Sequence, residues 1–522
     1  MTERRQLSSD SPLPATDRPL SYRLITALVL VRLLLPLATR DATWEFHRDE
    51  FLYFAMADHF DLFRMQFPPM IAAVAAIGHA IFGESVLAAR VPAAAAGAAI
   101  VAIVLLTVRR LEGGSRAGVI AWLAMLATPV FIRPSVLMHP VVLDQLWATV
   151  ALSALTLAAH EREPRWWLAV GTGLGLGALT KFSAAFIGIS VIGAMLILSD
   201  LRAQLLTRWP WMAVAVAAML AVPSITGQIA HQWPFLQQMQ ALRATQLDRV
   251  SPAAFLGGQL PLLGAGVLCA VAALVGAVRG SARDRTPVVA AAVMLLLLLV
   301  LHGKDYYAAP VYPMVIAVGA LQLERRARVS RLVAVAVPTM IAAGAVALWP
   351  IGVPALAPPV MIGYAHALGA GNAVRSNRGD VLQLPQDYAD MLGWRALADS
   401  VGAVAARLPA DARADLTVVG ANYGRAGALA FYRQRARIPY PISVAGDFWA
   451  WGPGTANGRH AIVVADSSSV TRLQQLYQSV DVMRVVENPL GVPEEQRVWI
   501  FYATRPNVSL AAVWPTLGPS WN

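Results

Sequence analysis

The chain is dominated by eleven apolar runs, at 22–38, 86–108, 117–133, 141–159, 166–180, 182–199, 210–228, 254–278, 287–302, 306–323 and 332–352. In hydrocarbon every backbone amide must find its partner within the protein, and about 20 residues of helix cross a bilayer. Runs of this kind therefore specify membrane helices. The connections between them are not alike. Arg109, Arg110 and Arg116; Arg162 and Arg165; Arg202 and Arg208; Arg279, Arg283 and Arg285; and Arg325, Arg326, Arg328 and Arg331 all fall in alternate loops. Basic loops stay on the cytoplasmic side, so this alternation is a topology signal. The amino terminus, with Arg4, Arg5, Arg18 and Arg23, shares their side, and the first run reads as a retained helix.

Composition narrows the class further. With 57% hydrophobic and 14% charged residues, the chain is neither a soluble domain nor a disordered one. Its formal net charge of +11 lies in loops rather than along one face, so the partner is the lipid bilayer and no nucleic acid is expected. The only cysteine, Cys269, sits inside an apolar run and excludes an internal disulfide framework. The expected fold is a polytopic α-helical membrane protein with about 11–13 transmembrane helices. A segment at 69–82 is either one of these spans or an interfacial helix.

After Pro350, Pro354, Pro358 and Pro359 the composition changes. The expected organisation is a membrane domain over 1–352 with a first external loop at 39–85, a linker at 353–379, and a water-soluble α/β domain at 380–522. Strand patterns fall at 416–419, 461–465 and 498–502, and helical patterns at 393–408, 425–435 and 470–479. The first external loop and the soluble domain lie on the face opposite the arginines.

That loop holds the costliest residues in the chain. Arg48, Asp49, Glu50 and Tyr53, trailed by Pro68-Pro69, sit directly beside an apolar helix. Acids so close to hydrocarbon point to a functional site, with a solvated turn or pairing to Arg48 and Arg40 as the alternative. On a helix Asp49 and Glu50 point about 100° apart and would take different tasks. One carboxylate would deprotonate an acceptor while the other orients a partner or binds a divalent cation, should one be used. Lys181 follows Gly171, Gly173, Gly175 and Gly177, which form two small-xxx-small pairs. It would engage a phosphate or snorkel to headgroups. Lys304, Tyr306 and Tyr307 cluster at another external turn, where they would stabilise a departing phosphate or anchor the interface. Asp144, early in its helix, would position substrate or pair with Arg133.

No phosphate-binding P-loop, His-Glu-x-x-His or Asp-x-Asp sequence occurs, so ATP-driven transport, zincin proteolysis and metal-bridged nucleotide-sugar chemistry lack their signatures. An activated substrate would arrive in the membrane, on a lipid.

Taken in order, these motifs resemble a known family. Arg48-Asp49-Glu50 with Tyr53, Pro68-Pro69, Asp144-Gln145-Leu146, Leu179-Thr180-Lys181-Phe182-Ser183, Gly303-Lys304-Asp305-Tyr306-Tyr307 through Tyr312-Pro313, Asn422 to Ala428, and Trp449-Ala450-Trp451-Gly452 are similar to the bacterial GT-C glycosyltransferases. Within that class the resemblance is to the dolichyl-phosphate-mannose protein mannosyltransferase superfamily and the aminoarabinose lipid A transferases. It implies a bacterial inner (plasma) membrane enzyme with a cytoplasmic amino terminus and a periplasmic or extracellular carboxy-terminal domain. Such an enzyme moves a sugar from a polyprenyl-phosphate donor to a glycan, lipid or protein acceptor, usually with inversion. Asp49 and Glu50 would then be catalytic, with Asp49 favoured over Glu50 as the base. Arg48, Tyr53, Lys181, Lys304, Tyr306, Tyr307 and Asp144 would contact donor phosphate or substrate. No cofactor is implied with certainty; a divalent cation, if used, falls to Asp49 or Glu50. Gln66-Phe67 and Arg425 depart from the family pattern and imply different handling of the acceptor. A transporter or flippase for a lipid-linked sugar would use the same charges as a path, although no internal repeat is present. A receptor would use Asn422–Ala428 and Trp449–Trp451 as a carbohydrate-binding face.

Overall fold

The computed structural model describes residues 19–369, except 246, 248 and 249, and residues 380–519. The expectations for Arg4, Arg5 and Arg18, for 370–379 of the linker and for 520–522 of the soluble domain lie outside the described residues.

Each of the eleven runs is helical. Seven helices are long and apolar enough to cross a membrane, and two bent pairs bring the number to nine among the described residues. The other two runs form shorter or more polar helices. Trp166–Ala178 has only 13 residues, and Ala282–Val300 opens on Arg283, Asp284 and Arg285. The 69–82 segment is the helix Met70–Phe82. Its 13 residues reach about 20 Å, short of the hydrocarbon thickness.

The first elements are α1 (Tyr22–Thr39), α2 (Arg48–Asp58), α3 (Met70–Phe82) and α4 (Leu87–Arg110); α5 (Ser115–Leu126), α6 (Pro129–Ile132), α7 (Pro140–Glu161), α8 (Trp166–Ala178) and α9 (Ala184–Ile197) follow. Between α5 and α6 the chain bends by 80°. Pro129 and Pro134 lack the N–H that would continue a helix, while the Thr128 hydroxyl donates to Ala124 O at 2.7 Å and Leu263 O at 3.0 Å. The break folds Met138 and His139 against Glu50 and Asp49 in the segment after α1.

The glycines of α8 serve two faces. A Cβ on Gly171 would lie 2.4 Å from Ala213 O, and one on Gly173 would lie 2.7 Å from Trp147 O. Both contacts are with backbone, which cannot swing aside, so α8 is wedged between α7 and the helix Trp209–Ala230. Gly173→Leu is expected to destabilise the protein by about 1–3 kcal/mol or more. A lower melting temperature in detergent would register it, whereas Gly188→Leu, whose Cβ would meet nothing within 4 Å, should not.

The carboxy-terminal part is a four-stranded sheet, β1 (Leu416–Gly420), β2 (His460–Ala465), β3 (Tyr477–Glu487) and β4 (Arg497–Pro506), in the order β1-β2-β4-β3. β1 and β2 run parallel, and the other pairs are antiparallel. The expected helices appear as Trp394–Ala406, Tyr423–Phe431 and Val470–Leu476. Strand β3 was not anticipated. The segment expected as a linker contains the helix Pro358–Ala367, whose Met361 and Ala365 are buried in a cluster with Trp44, Leu137 and Tyr388.

This sheet domain is seated on α2 and the segment leading into it from α1. Phe46, Phe51 and Phe54 pack against Phe431 at centroid distances of 4.8–5.7 Å. Gly427 lets the helix Tyr423–Phe431 approach the α2 backbone, since a Cβ there would sit 2.9 Å from Phe51 C. Rings buried this way dominate interface energetics, so α2 is fixed between the two parts of the molecule.

Candidate active site

The amino end of α2 is built by its own sequence. His47 caps the helix, its Nδ1 accepting from Asp49 N at 3.1 Å, and Glu50 Oε2 reaches back to accept from His47 N at 2.8 Å. Acids in a first turn also suit the positive end of the helix dipole.

From this turn Asp49 and Glu50 part company. Glu50 is buried, and its Oε1 accepts from Met138 N at 2.8 Å and from Arg90 Nη1. With His47 N on Oε2, both oxygens are engaged. Asp49 instead accepts the Tyr423 hydroxyl on Oδ1 at 2.7 Å, and its Oδ2 lies 3.5 Å from His139 Nε2. His139 caps α7 by accepting from Val141 N on Nδ1 at 3.2 Å, so in the neutral ring the proton sits on Nε2, facing Asp49. Burial alone would raise the Asp49 carboxyl. The His139 hydrogen bond, with His47, His139 and Arg48 nearby, more than offsets it and holds the group well below the usual carboxylate range.

The remaining loop residues frame this centre. Arg48 lies 3.5 Å from Asp390 Oδ1 and 3.2 Å from Glu494 Oε1, so it binds the carboxy-terminal part rather than Asp49. Tyr53 is buried and meets the His139 ring edgewise at 5.7 Å. Burial lifts Asp390 to about 6, against the pull of Arg48 and His47. Arg133 donates from Nε to Asp387 Oδ2 at 2.8 Å and lies over the Tyr388 ring. The pairing of Asp144 with Arg133, one of the two sequence readings, is thereby corrected. The bend after α5 turns Arg133 toward Asp387, and Asp144 Oδ1 accepts from Ser183 Oγ at 3.0 Å.

Asp144 belongs to a second group five residues further along α7, about 7 Å by helical rise. Lys181 lies within electrostatic reach of Asp144, with its Nζ 5.0 Å from the centre of the Tyr307 ring. Tyr306 and Tyr307 meet edge to face at 4.9 Å, and Lys304 Nζ is 5.9 Å from the Tyr306 ring centre. Tyr306 in turn feels the charge of Asp387. The structure thus gathers the residues from three turns at one end of the bundle. Cationic and phenolic donors lie on one side, with the Asp49–His139 pair on the other.

Sequence reading missed the roles of His139, Tyr423, His47 and Asp387. His139 was visible only as a helix start before Pro140. Tyr423 stood inside the Asn422–Ala428 motif but 374 residues from Asp49. Arg425 is a structural residue, buried with its Nε 2.9 Å from Glu495 Oε2, so a carboxylate is supplied from elsewhere in the domain. Among the described residues no group of three or more His, Cys, Asp or Glu is placed to hold a metal ion. Around Asp49 and Glu50 the Nδ1 of each histidine and both Glu50 oxygens are already engaged.

Comparison with known proteins agrees with this architecture. The dolichyl-phosphate-mannose-protein mannosyltransferase family matches over residues 66–226. No curated protein matches by sequence. The fold, with up to nine spans among the described residues long and apolar enough to cross a membrane, is shared with solved structures. In particular it is similar to ArnT from Cupriavidus metallidurans. Crystal structures of that protein bound to undecaprenyl phosphate and in the apo state match with TM-scores of 0.60 and 0.58, each at 15% identity, covering 92% of this chain and 97% of the other.

Tyr423→Phe should test the link between the domains. Loss of a hydrogen bond to a charged group costs about 1.5–3 kcal/mol, and the lost donor had favoured the ionised carboxylate. The variant should therefore melt at a lower temperature than the parent.

Proposed function

We propose that this chain is an integral-membrane glycosyltransferase that moves a sugar from a polyprenyl-phosphate donor to an extracytoplasmic glycan, lipid or protein acceptor, with inversion. The observation that carries this reading is the meeting of three features at one end of the bundle: an ionised Asp49 beside His139, a cationic group at Lys181 and Lys304, and the mouth of a long apolar groove.

That groove, of about 620 Å³, lies between α8, α9 and the helix Trp209–Ala230. Its lining extends from Trp167 and Pro210 to Phe182 and Ile225. Along the last helix this is about 22 Å by helical rise, enough for the part of an isoprenoid tail nearest the phosphate. Phe182 adjoins Lys181, so a tail in the groove brings its phosphate to the lysines.

In this reading Lys181, Lys304 and Tyr306 take up charge as the phosphate departs, the kind of preorganised stabilisation that often dominates catalysis. Asp49 receives the hydrogen bond of the attacking hydroxyl or amine. Although a weak base, it suffices, because the nucleophile becomes strongly acidic as its bond to the anomeric carbon forms. The proton passes to Asp49, the new glycosidic bond replaces the bond to phosphate, and polyprenyl phosphate leaves. Glu50, Arg48 and Tyr53 hold the loop in register. In this reading the arginine-rich loops at the other end of the bundle lie on the cytoplasmic side of a bacterial inner membrane, which the positive-inside rule supports.

Mass spectrometry of envelope glycans, glycolipids and proteins from cells with and without this protein tests the proposal. One sugar should disappear from one acceptor class. Identical profiles, with donor and acceptor present, would overturn it.

A further inference from the structure

The soluble domain contains a cavity of about 440 Å³, away from the cationic group and from the apolar groove, with His59, Tyr440, Trp451, Asp415, Thr417 and Asn457 in its lining. We propose that it binds a neutral sugar unit of the acceptor. This rests on the transferase reading above and adds to it a place for the part of the acceptor that does not react.

The volume falls in the range of small-molecule sites. Its lining joins flat rings to fixed polar groups. His59 stacks on Trp451 at 4.1 Å and 3°, and it meets Tyr440 edgewise at 5.3 Å. Asp415 Oδ1 accepts from Asn457, and Thr417 Oγ1 accepts from Gly458 N at 3.2 Å. These bonds orient the carboxylate and the amide while leaving the second Asp415 oxygen and further lone pairs unused. A pyranose has the matching surfaces: C–H faces for rings, and hydroxyls for oriented acceptors.

Charge separates this cavity from the phosphate group. Apart from His59 its lining has no basic side chain, and its one carboxylate is Asp415. With Asp415 in the lining and Arg433 only behind it, 5.5 Å from the Tyr440 ring centre, the cavity suits a hydroxylic ligand better than a phosphate or carboxylate. The rim is open on one side. Gly452 and Gly454 have φ of 79° and 57°, and a Cβ on either would meet nothing within 4 Å. Larger side chains there would be strained by backbone rather than by neighbours.

The position fits an acceptor. His59 ends α2, the same helix whose first turn carries Asp49. Ten residues of helix separate them by about 15 Å, so the two points are held in register by a single rigid element. That span exceeds one pyranose, and the sugar bound here would be a unit removed from the reacting one.

The test uses the full chain in lipid nanodiscs with Asp49→Asn as a transfer-silent background. Saturation-transfer NMR is recorded with methyl α-mannopyranoside, methyl α-glucopyranoside, methyl α-galactopyranoside and N-acetylglucosamine as probes. At least one should receive saturation. Thr455→Trp, which fills the cavity from its exposed rim, should abolish that transfer, and Asn457→Ala should weaken binding roughly tenfold. Absence of transfer to every probe, or transfer unaltered by Thr455→Trp, overturns the site. Sugar binding is read here without turnover. A failed cavity therefore leaves the transferase reading standing, and a transferase reading lost through an active Asp49→Asn leaves sugar binding measurable.

Discussion

Asp49→Asn is expected to lower the rate of sugar transfer by about 10²–10⁴-fold, the range supplied by a positioned acid or base. The substitution preserves volume, and the amide oxygen can still accept from Tyr423. Its nitrogen side then faces the His139 Nε2 proton, donor against donor, and neither group can receive the proton of the nucleophile. Donor binding should be unchanged, because Lys181, Lys304 and the groove between α8, α9 and Trp209–Ala230 are untouched. The split is the informative part. A variant that lost donor affinity and turnover together would move Asp49 from the acceptor side of the reaction to the donor side.

The second large effect concerns Glu50, where stability rather than chemistry should respond. Glu50 and Arg90 are 1% and 3% exposed and are held together among apolar helices, with Arg90 also donating to Glu45 O at 2.8 Å. Removing one partner of such a pair leaves an uncompensated buried charge and costs about 3–5 kcal/mol. Glu50→Ala and Arg90→Ala should each lose most of their folded, monodisperse protein at a temperature the parent tolerates. Glu50→Leu combined with Arg90→Met removes both charges and should recover a large part of the loss. If either single alanine variant melted like the parent, the structural role of the Glu50–Arg90 pair would be wrong.

The contrast between these neighbours shows what the amino-acid sequence could reveal. The cost of acids beside an apolar helix singled out both residues, and the alternating arginines placed their loop opposite the basic face. Which acid is exposed to chemistry depends on what lies at their different helical azimuths. Those partners, His139, Tyr423, Arg90 and Met138, come from segments 40 to 374 residues away. Strand β3 escaped notice for a local reason. It is an edge strand, largely exposed, and a register shift between Val482 and Arg484 interrupts its alternation. The glycines of α8, by contrast, were legible because close helix packing demands small residues at fixed spacing, and both expected pairs meet neighbouring helices or their connection.

The central claim is that the lipid-linked sugar is cleaved and its sugar transferred, rather than moved across the bilayer intact. Proteoliposomes containing the purified chain, a polyprenyl-phosphate donor labelled separately in sugar and in lipid, and an envelope acceptor extract decide it most directly. The account predicts that the sugar label leaves the lipid and enters acceptor while polyprenyl phosphate accumulates, and that Asp49→Asn suppresses both. Movement of both labels together between leaflets, with the donor intact and no labelled acceptor, would contradict it.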